Sequence, residues 1–268
     1  MFDEIKARGI VLLGCGKMGS AMLAGWLGEG LPPDAVTVLD PAPSDWLQST
    51  GVRINAALPA SPAVALIAVK PQMMGDALPQ LQSLGAATLF VSVAAGITIE
   101  TFEAALGDVP IIRAMPNTPA AVGQGITAII GNAKAGAAEL DLAEALLSAV
   151  GQVVHLERED QMDAVTAVSG SGPAYVFHLI ETMAAAGVTQ GLPEDIAMRL
   201  AKATVAGAGA LAMAATEDPA QLRVNVTSPA GTTAAALEVL MDKDRGFPVL
   251  LKEAVKAAAD RSKELANG

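Results

Sequence analysis

The run Ile10-Val11-Leu12-Leu13-Gly14-Cys15-Gly16-Lys17-Met18-Gly19 decides how the first half of this chain folds. Four uncharged, mostly branched residues read as a strand covered on both faces. The three glycines that follow have the spacing of a strand-to-helix turn that receives a dinucleotide. The first permits a tight turn, the second lets the backbone approach a pyrophosphate, and the third lets the helix pack closely on the strand. Met18, Met22 and Trp26 then recur at fourth-residue spacing and give the helix over 17–29 an apolar side.

Working outward, the uncharged runs 36–39, 64–69, 88–93 and 109–112 read as further strands separated by helix-like stretches, hence βα units and a parallel sheet. Runs 126–130 and 152–156, around a helix over 137–150, are expected as antiparallel additions. Beyond residue 160 the β-branched runs give way to Ala-rich, helix-favouring sequence. The expected fold is therefore α/β: a Rossmann-type dinucleotide-binding domain over 1–160, followed by an all-α domain over 161–268. Helices are expected over 174–190, 193–216, 219–226, 232–241 and 248–265. The second of these is apolar on nearly every side and must be enclosed, so a second copy of the chain is the expected cover.

Composition narrows the classes. The 268 residues are 52% apolar and 17% charged, enough apolar content to exclude disorder. A net charge of −11 offers nucleic acid no basic face. The apolar stretch 203–215 is too short to span a bilayer, so no membrane is expected. Cys15 has no second cysteine to pair with, and Asp3 and Glu4 interrupt any basic leader, which makes a reducing cytoplasm the expected compartment.

Asp40 ends the second strand 21 residues beyond Gly19, where a carboxylate can accept hydrogen bonds from a ribose diol and would repel the additional phosphate of NADPH. Asp40-Pro41 is equally a common turn pair. Ala68-Val69-Lys70-Pro71-Gln72 and Ser92-Val93-Ala94-Ala95-Gly96 end two more strands on the crevice side, where they would border the nicotinamide half of a cofactor; Lys70 could also be a solvated surface charge. Cys15 reads as a space-filling residue in a crowded turn. Asn117 and Thr118 are expected as available hydrogen-bonding groups after strand five. His155 and His178 read as packing or surface residues.

Two polar islands interrupt the helical half: Val168-Ser169-Gly170-Ser171-Gly172-Pro173-Ala174-Tyr175, and Asn225-Val226-Thr227-Ser228-Pro229-Ala230-Gly231-Thr232-Thr233. Each is expected to precede a helix, whose free amides and hydroxyls would cradle a carboxylate. Capping by Ser171 and Thr232 is the plainer reading.

Over essentially its whole length the sequence resembles the pyrroline-5-carboxylate reductases. The likeness rests on the glycine turn, on Ala68 to Gln72, on Arg113-Ala114-Met115-Pro116-Asn117-Thr118-Pro119, on Asp163-Ala164-Val165 with the first island, and on the second island. The resemblance implies reduction of 1-pyrroline-5-carboxylate to L-proline by hydride from NADPH or NADH, the final step of proline synthesis. It also implies a homodimer through the helical domain, with dimers often assembled into rings. Carried over, Gly14, Cys15, Gly16, Lys17, Met18, Gly19, Asn55, Ala68, Val69, Lys70, Pro71, Ala94, Ala95, Gly96 and Asn225 would hold the cofactor. Glu159, Ser228, Thr232 and Thr233 would line the small-molecule substrate site, with Thr233 donating a hydrogen bond or relaying a proton to the ring nitrogen. No metal is implied. Family members commonly carry Ser, Asn or Arg after the second strand, whereas this chain has Asp40 and Pro41, with Ser44 the only nearby hydroxyl; that substitution favours NADH. A hydroxyacid dehydrogenase would need an acid or base such as Lys in the first helix of the helical half, and none lies between Ser169 and Gly191. A noncatalytic dinucleotide sensor would have no use for the two polar islands.

Overall fold

The computed structural model describes residues 2–267. They form two compact units, one running up to Gly170 and taking in the residues from Ala259 onward, the other Ser171–Ala258. By packing, residues 161–170 thus belong with the nucleotide-binding half.

Strands β1 (Ile10–Leu13), β2 (Val36–Leu39), β3 (Arg53–Ile54), β4 (Val64–Ile67), β5 (Leu89–Ser92), β6 (Ile111–Met115), β7 (Gly125–Gly131) and β8 (Gly151–His155) make one sheet. Their order is β3-β2-β1-β4-β5-β6-β7-β8. Neighbours are parallel from β3 through β6, β7 is antiparallel to β6, and β8 is parallel to β7. The Rossmann expectation and the reversed outer strands are met. The second strand edge, β3, has only two residues, one of them the exposed Arg53, so no apolar run announced it.

Helix α1 (Asp3–Arg8) precedes the first strand; α2 (Lys17–Gly28), α3 (Asp45–Ser49), α4 (Met74–Ala77), α5 (Ile99–Leu106) and α6 (Ala137–Leu147) stand between strands, and α7 (Met162–Val165) follows the last. Alternation along β1 divides the core in two. Ile10 and Leu12 pack with Met22, Leu23, Trp26 and Leu146 on one face, while Val11 and Leu13 pack with Leu78, Leu81, Phe90 and Phe102 on the other. Trp26 is fully buried, and its indole N–H donates to the Leu146 carbonyl at 2.9 Å. Each such side chain contributes about 1.5–3 kcal/mol by burial. The chain leaves β1 for β2 on one side, and β4 returns on the other. That reversal opens a crevice at the carboxyl ends of β1 and β4.

The other unit comprises α8 (Gly172–Thr189), α9 (Glu194–Ala214), α10 (Pro219–Asn225), α11 (Thr232–Leu240) and the first part of α12 (Phe247–Asn267). Its buried apolar cluster is Ala184, Ala197 and Ala201, backed by Ile180 and Met198. Phe177, Leu200, Leu211, Met213, Val239 and Leu250 are exposed. Because the helix begins at Glu194, α9 has 21 residues and is long and apolar enough to cross a membrane. The length argument made from 203–215 alone does not hold for it.

Candidate functional site

Gly14 ends β1 at φ 88°, a backbone conformation that side chains resist, and its N–H donates to Leu39 O at 2.8 Å. A Cβ on Gly19 would stand 2.3 Å from the Gly14 carbonyl oxygen, so only glycine lets α2 approach the turn so closely. Gly16 is the N-cap of α2 and offers no side chain, and the first helical bond is Ser20 N–H to Gly16 O. The amides of Lys17, Met18 and Gly19 are therefore left outward at the positive end of the helix dipole, the arrangement that receives a diphosphate.

Asp40 is built into this turn. Its Oδ2 accepts from Cys15 N–H at 2.7 Å and its Oδ1 from Ala42 N–H at 2.8 Å. Asn55, at φ 50°, braces the Asp40 backbone from both sides: Asn55 Oδ1 accepts from Asp40 N–H at 3.0 Å and Nδ2 donates to Asp40 O at 2.8 Å. The two sequence readings of Asp40 thus coexist. It makes a turn through Ala42, and with Asn55, Leu13, Leu39 and Val69 it lines a cleft of about 340 Å³. Asp76 lines the same cleft, and no Lys or Arg does. Ser44 is committed elsewhere, since its Oγ accepts from Leu47 N–H and caps α3. Burial, and then the Asp40 charge, push the Cys15 thiol up to about 11, which agrees with a filling role rather than a reactive one.

Ala68, Val69 and Lys70 follow β4, with Lys70 exposed ahead of the turn Pro71–Met73. Ala94, Ala95 and Gly96 follow β5, and among the described residues the amides of Ala95 and Gly96 have no protein partner. Glu159 lies in the same unit. Its Oε1 accepts from Arg113 Nη1 at 2.8 Å and from Ile99 N–H at 2.9 Å.

In the helical unit, Ser228, Thr232 and Thr233 share one turn. Gly231 N–H donates to Ser228 O at 3.0 Å, Ala230 takes φ 57°, and Gly231 is the N-cap of α11 without a side-chain cap. The expected capping by Thr232 does not occur, because Thr232 is already the first helical residue. Its hydroxyl and those of Ser228 and Thr233 have no protein partner among the described residues. Asn225 ends α10, where its Oδ1 accepts from Gln221 Nε2 at 2.8 Å. The first island precedes α8 as expected, but Ser171 does not cap it. Thr166–Gly170 forms a π-helical turn, and Ser171 has helical dihedrals, φ −83° and ψ −22°, with no cap bond, since a capping side chain needs an extended backbone. Asn117 is not available either. It donates to Ser169 Oγ at 3.2 Å and accepts from Ile126 N–H at 3.0 Å. His155 pairs with Glu144, and His178 with Glu181, both at the surface.

A glycine turn at the switch point of a parallel sheet, joined in sequence to a helical unit with a hydroxyl-lined helix start, defines a nicotinamide-dinucleotide oxidoreductase with a second, α-helical domain. Comparison with known proteins makes this specific. Residues 159–265 match the family model described as pyrroline-5-carboxylate reductase dimerisation, and residues 9–96 match that described as NADP oxidoreductase, coenzyme F420-dependent. The chain is 41% identical to the pyrroline-5-carboxylate reductase of Pseudomonas aeruginosa over 265 residues, 96% of each protein. It superposes on the Coxiella burnetii pyrroline-5-carboxylate reductase with TM-score 0.90 and 33% identity, covering 97% of this chain and 98% of that one. Against the NADP-bound Plasmodium falciparum pyrroline carboxylate reductase the TM-score is 0.85 at 27% identity, covering 97% and 99%. The chain belongs to the pyrroline-5-carboxylate reductase family. The dimerisation model spans α9, so association between copies of the chain accounts for the exposed apolar residues of this helix.

Proposed function

We propose that the chain reduces 1-pyrroline-5-carboxylate to L-proline, closing proline synthesis. The observation that carries this reading is that each unit has its own uncapped helix start, an anion-receiving one at Gly16 in the nucleotide-binding unit and one at Gly231 in the helical unit. The second one brings three uncharged hydroxyls, those of Ser228, Thr232 and Thr233. A bound reduced nicotinamide supplies the hydride. The chain's own task is placement, because the ring nitrogen of the substrate can already carry a proton and the iminium carbon beside it is electrophilic without a strong acid. Ser228, Thr232 and the free amides of α11 hold the substrate carboxylate, and Thr233 Oγ1 meets the ring nitrogen as hydrogen-bond partner or proton relay. Orientation of this kind accounts for a site without a histidine.

The cofactor is held by Gly14 to Gly19, Ala68 to Pro71, Ala94 to Gly96, Asn55 and Asn225. NADH is preferred over NADPH, since Asp40 and Asp76 both line the cleft and, among the described residues, no Lys or Arg lines it. The helical domains pair two copies of the chain. Folded protein that binds cofactor should consume reduced nicotinamide absorbance when given pyrroline-5-carboxylate. No turnover with either NADH or NADPH would reject the reductase reading.

A further inference from the structure

Arg113 belongs to the sequence motif that marks the family likeness, yet neither cofactor nor substrate placement has used it. Its side chain is only 6% exposed, and a guanidinium so enclosed is held by a partner. That partner is Glu159, at 2.8 Å, whose side chain is 31% exposed. The same oxygen of Glu159 accepts the N–H of Ile99 at 2.9 Å, and Ile99 is the first residue of α5. Arg113 also stands opposite Ser92 across the β5–β6 ladder, and Ser92 Oγ accepts from Ala94 N–H at 3.3 Å.

The segment between these two anchors is the loop 93–98. One end is tied through Ser92 to Ala94 and the other through Glu159 to Ile99, while Thr98 caps α5 by accepting from Thr101 N–H at 3.3 Å. In the middle, Gly96 takes φ 76° and packs against Leu265. The unpartnered amides of Ala95 and Gly96 sit between fixed ends, which is how a donor pair is preorganised for a ligand.

We infer that Glu159, locked by Arg113, is a positioning residue for the loop that receives the nicotinamide half of the cofactor, and acts through Ile99 rather than by contact with substrate. This rests on the dinucleotide reading of the glycine turn. A ligand without nicotinamide should then be insensitive to Glu159. One with it should not.

The test measures affinity for NADH and for ADP-ribose, which lacks the nicotinamide, in the wild-type chain and in Glu159→Ala, Glu159→Gln, Ile99→Pro and Ile99→Ala. Glu159→Ala should weaken NADH at least about fivefold, a hydrogen bond's worth, and leave ADP-ribose within about twofold. Glu159→Gln keeps an acceptor oxygen and should restore most of the loss. Proline is tolerated at the first position of a helix after an extended residue, and Thr98 is extended at ψ 159°, so Ile99→Pro deletes the N–H while sparing the ion pair, and Ile99→Ala, which keeps the N–H, accounts for the buried side chain lost with it. Ile99→Pro should reproduce the selective loss even if Glu159→Ala does not fold. The inference is overturned if folded Ile99→Pro binds NADH as the wild type does, or if Glu159→Ala weakens both ligands equally. It is also overturned if Glu159→Ala raises only the KM for pyrroline-5-carboxylate. A wild-type chain that binds neither ligand would instead sink the dinucleotide reading itself.

Discussion

The two units of this chain bury their apolar residues by different means. The nucleotide-binding unit closes two cores of its own, with Trp26, Phe90 and Phe102 fully covered. The helical unit covers three alanines and leaves Phe177, Leu200, Leu211 and Met213 in water. The first is a finished domain, and the second is half of one. Their polar groups divide the same way. In the first unit Asp40, Asn55, Asn117, Arg113 and Glu159 are bound to the protein. In the second, the hydroxyls of Ser228, Thr232 and Thr233 have no protein partner among the described residues.

This contrast can be broken most severely at the helical surface. Leu211→Lys places a charge where another copy is expected, at a cost of several kcal/mol. The account expects dissociation in sedimentation and loss of the helical unit's protection in hydrogen exchange. An unchanged oligomer with unchanged melting would show that α9 is covered by something else. Gly19→Ala attacks the finished domain at its tightest point, since the added methyl meets the Gly14 oxygen at 2.3 Å. Cofactor affinity should fall at least about a hundredfold, because the turn must open. Normal NADH titration would contradict the turn's role.

Smaller effects sharpen the division of labour. Thr233→Ala should lower kcat by about 10- to 100-fold, the range of one or two kcal/mol or slightly more at a hydrogen-bonded centre, with cofactor affinity kept. An unchanged kcat removes Thr233 from the chemistry. Asp40→Ser should shift the ratio of kcat/KM values toward NADPH by about tenfold, as one charge near a phosphate warrants. It should also weaken both cofactors, because Cys15 N–H loses its acceptor, and identical ratios before and after would reduce Asp40 to a turn residue. The least effect concerns Cys15. Its thiol, pushed to about 11, stays protonated at neutral pH and should resist alkylation until the protein unfolds. The folded state holds that proton more tightly than the unfolded chain, so this group's contribution to stability falls as pH rises from about 9 toward 11. Rapid labelling of native protein at pH 7 would contradict the buried placement.

Legibility depended on how local each pattern was. Runs such as Val64–Ile67 are buried on both faces and carry no polar residue, so their identity as strands was plain from sequence. β3 escaped because two residues with an exposed arginine make no pattern. The glycine turn was legible since each glycine answers a separate steric demand. The partners of Asp40 and Asn117 were not, because the bonds of Asn117 to Ile126 N–H and of Asp40 to Cys15 N–H join segments that only the sheet brings together. The first polar island was legible as the segment before a helix, and it misled only over its cap. Ser171 stands at the N-cap position of α8, but it follows the π-helical turn Thr166–Gly170 with helical dihedrals, which a capping side chain does not take.

The most direct test of the whole account follows a label. NADH carrying deuterium on its transferred position should, with pyrroline-5-carboxylate and this chain, yield L-proline with one deuterium on the ring carbon that neighbours nitrogen and does not bear the carboxylate. Proline formed without that deuterium, or nicotinamide oxidised with no proline made, would contradict hydride transfer to a cyclic imine.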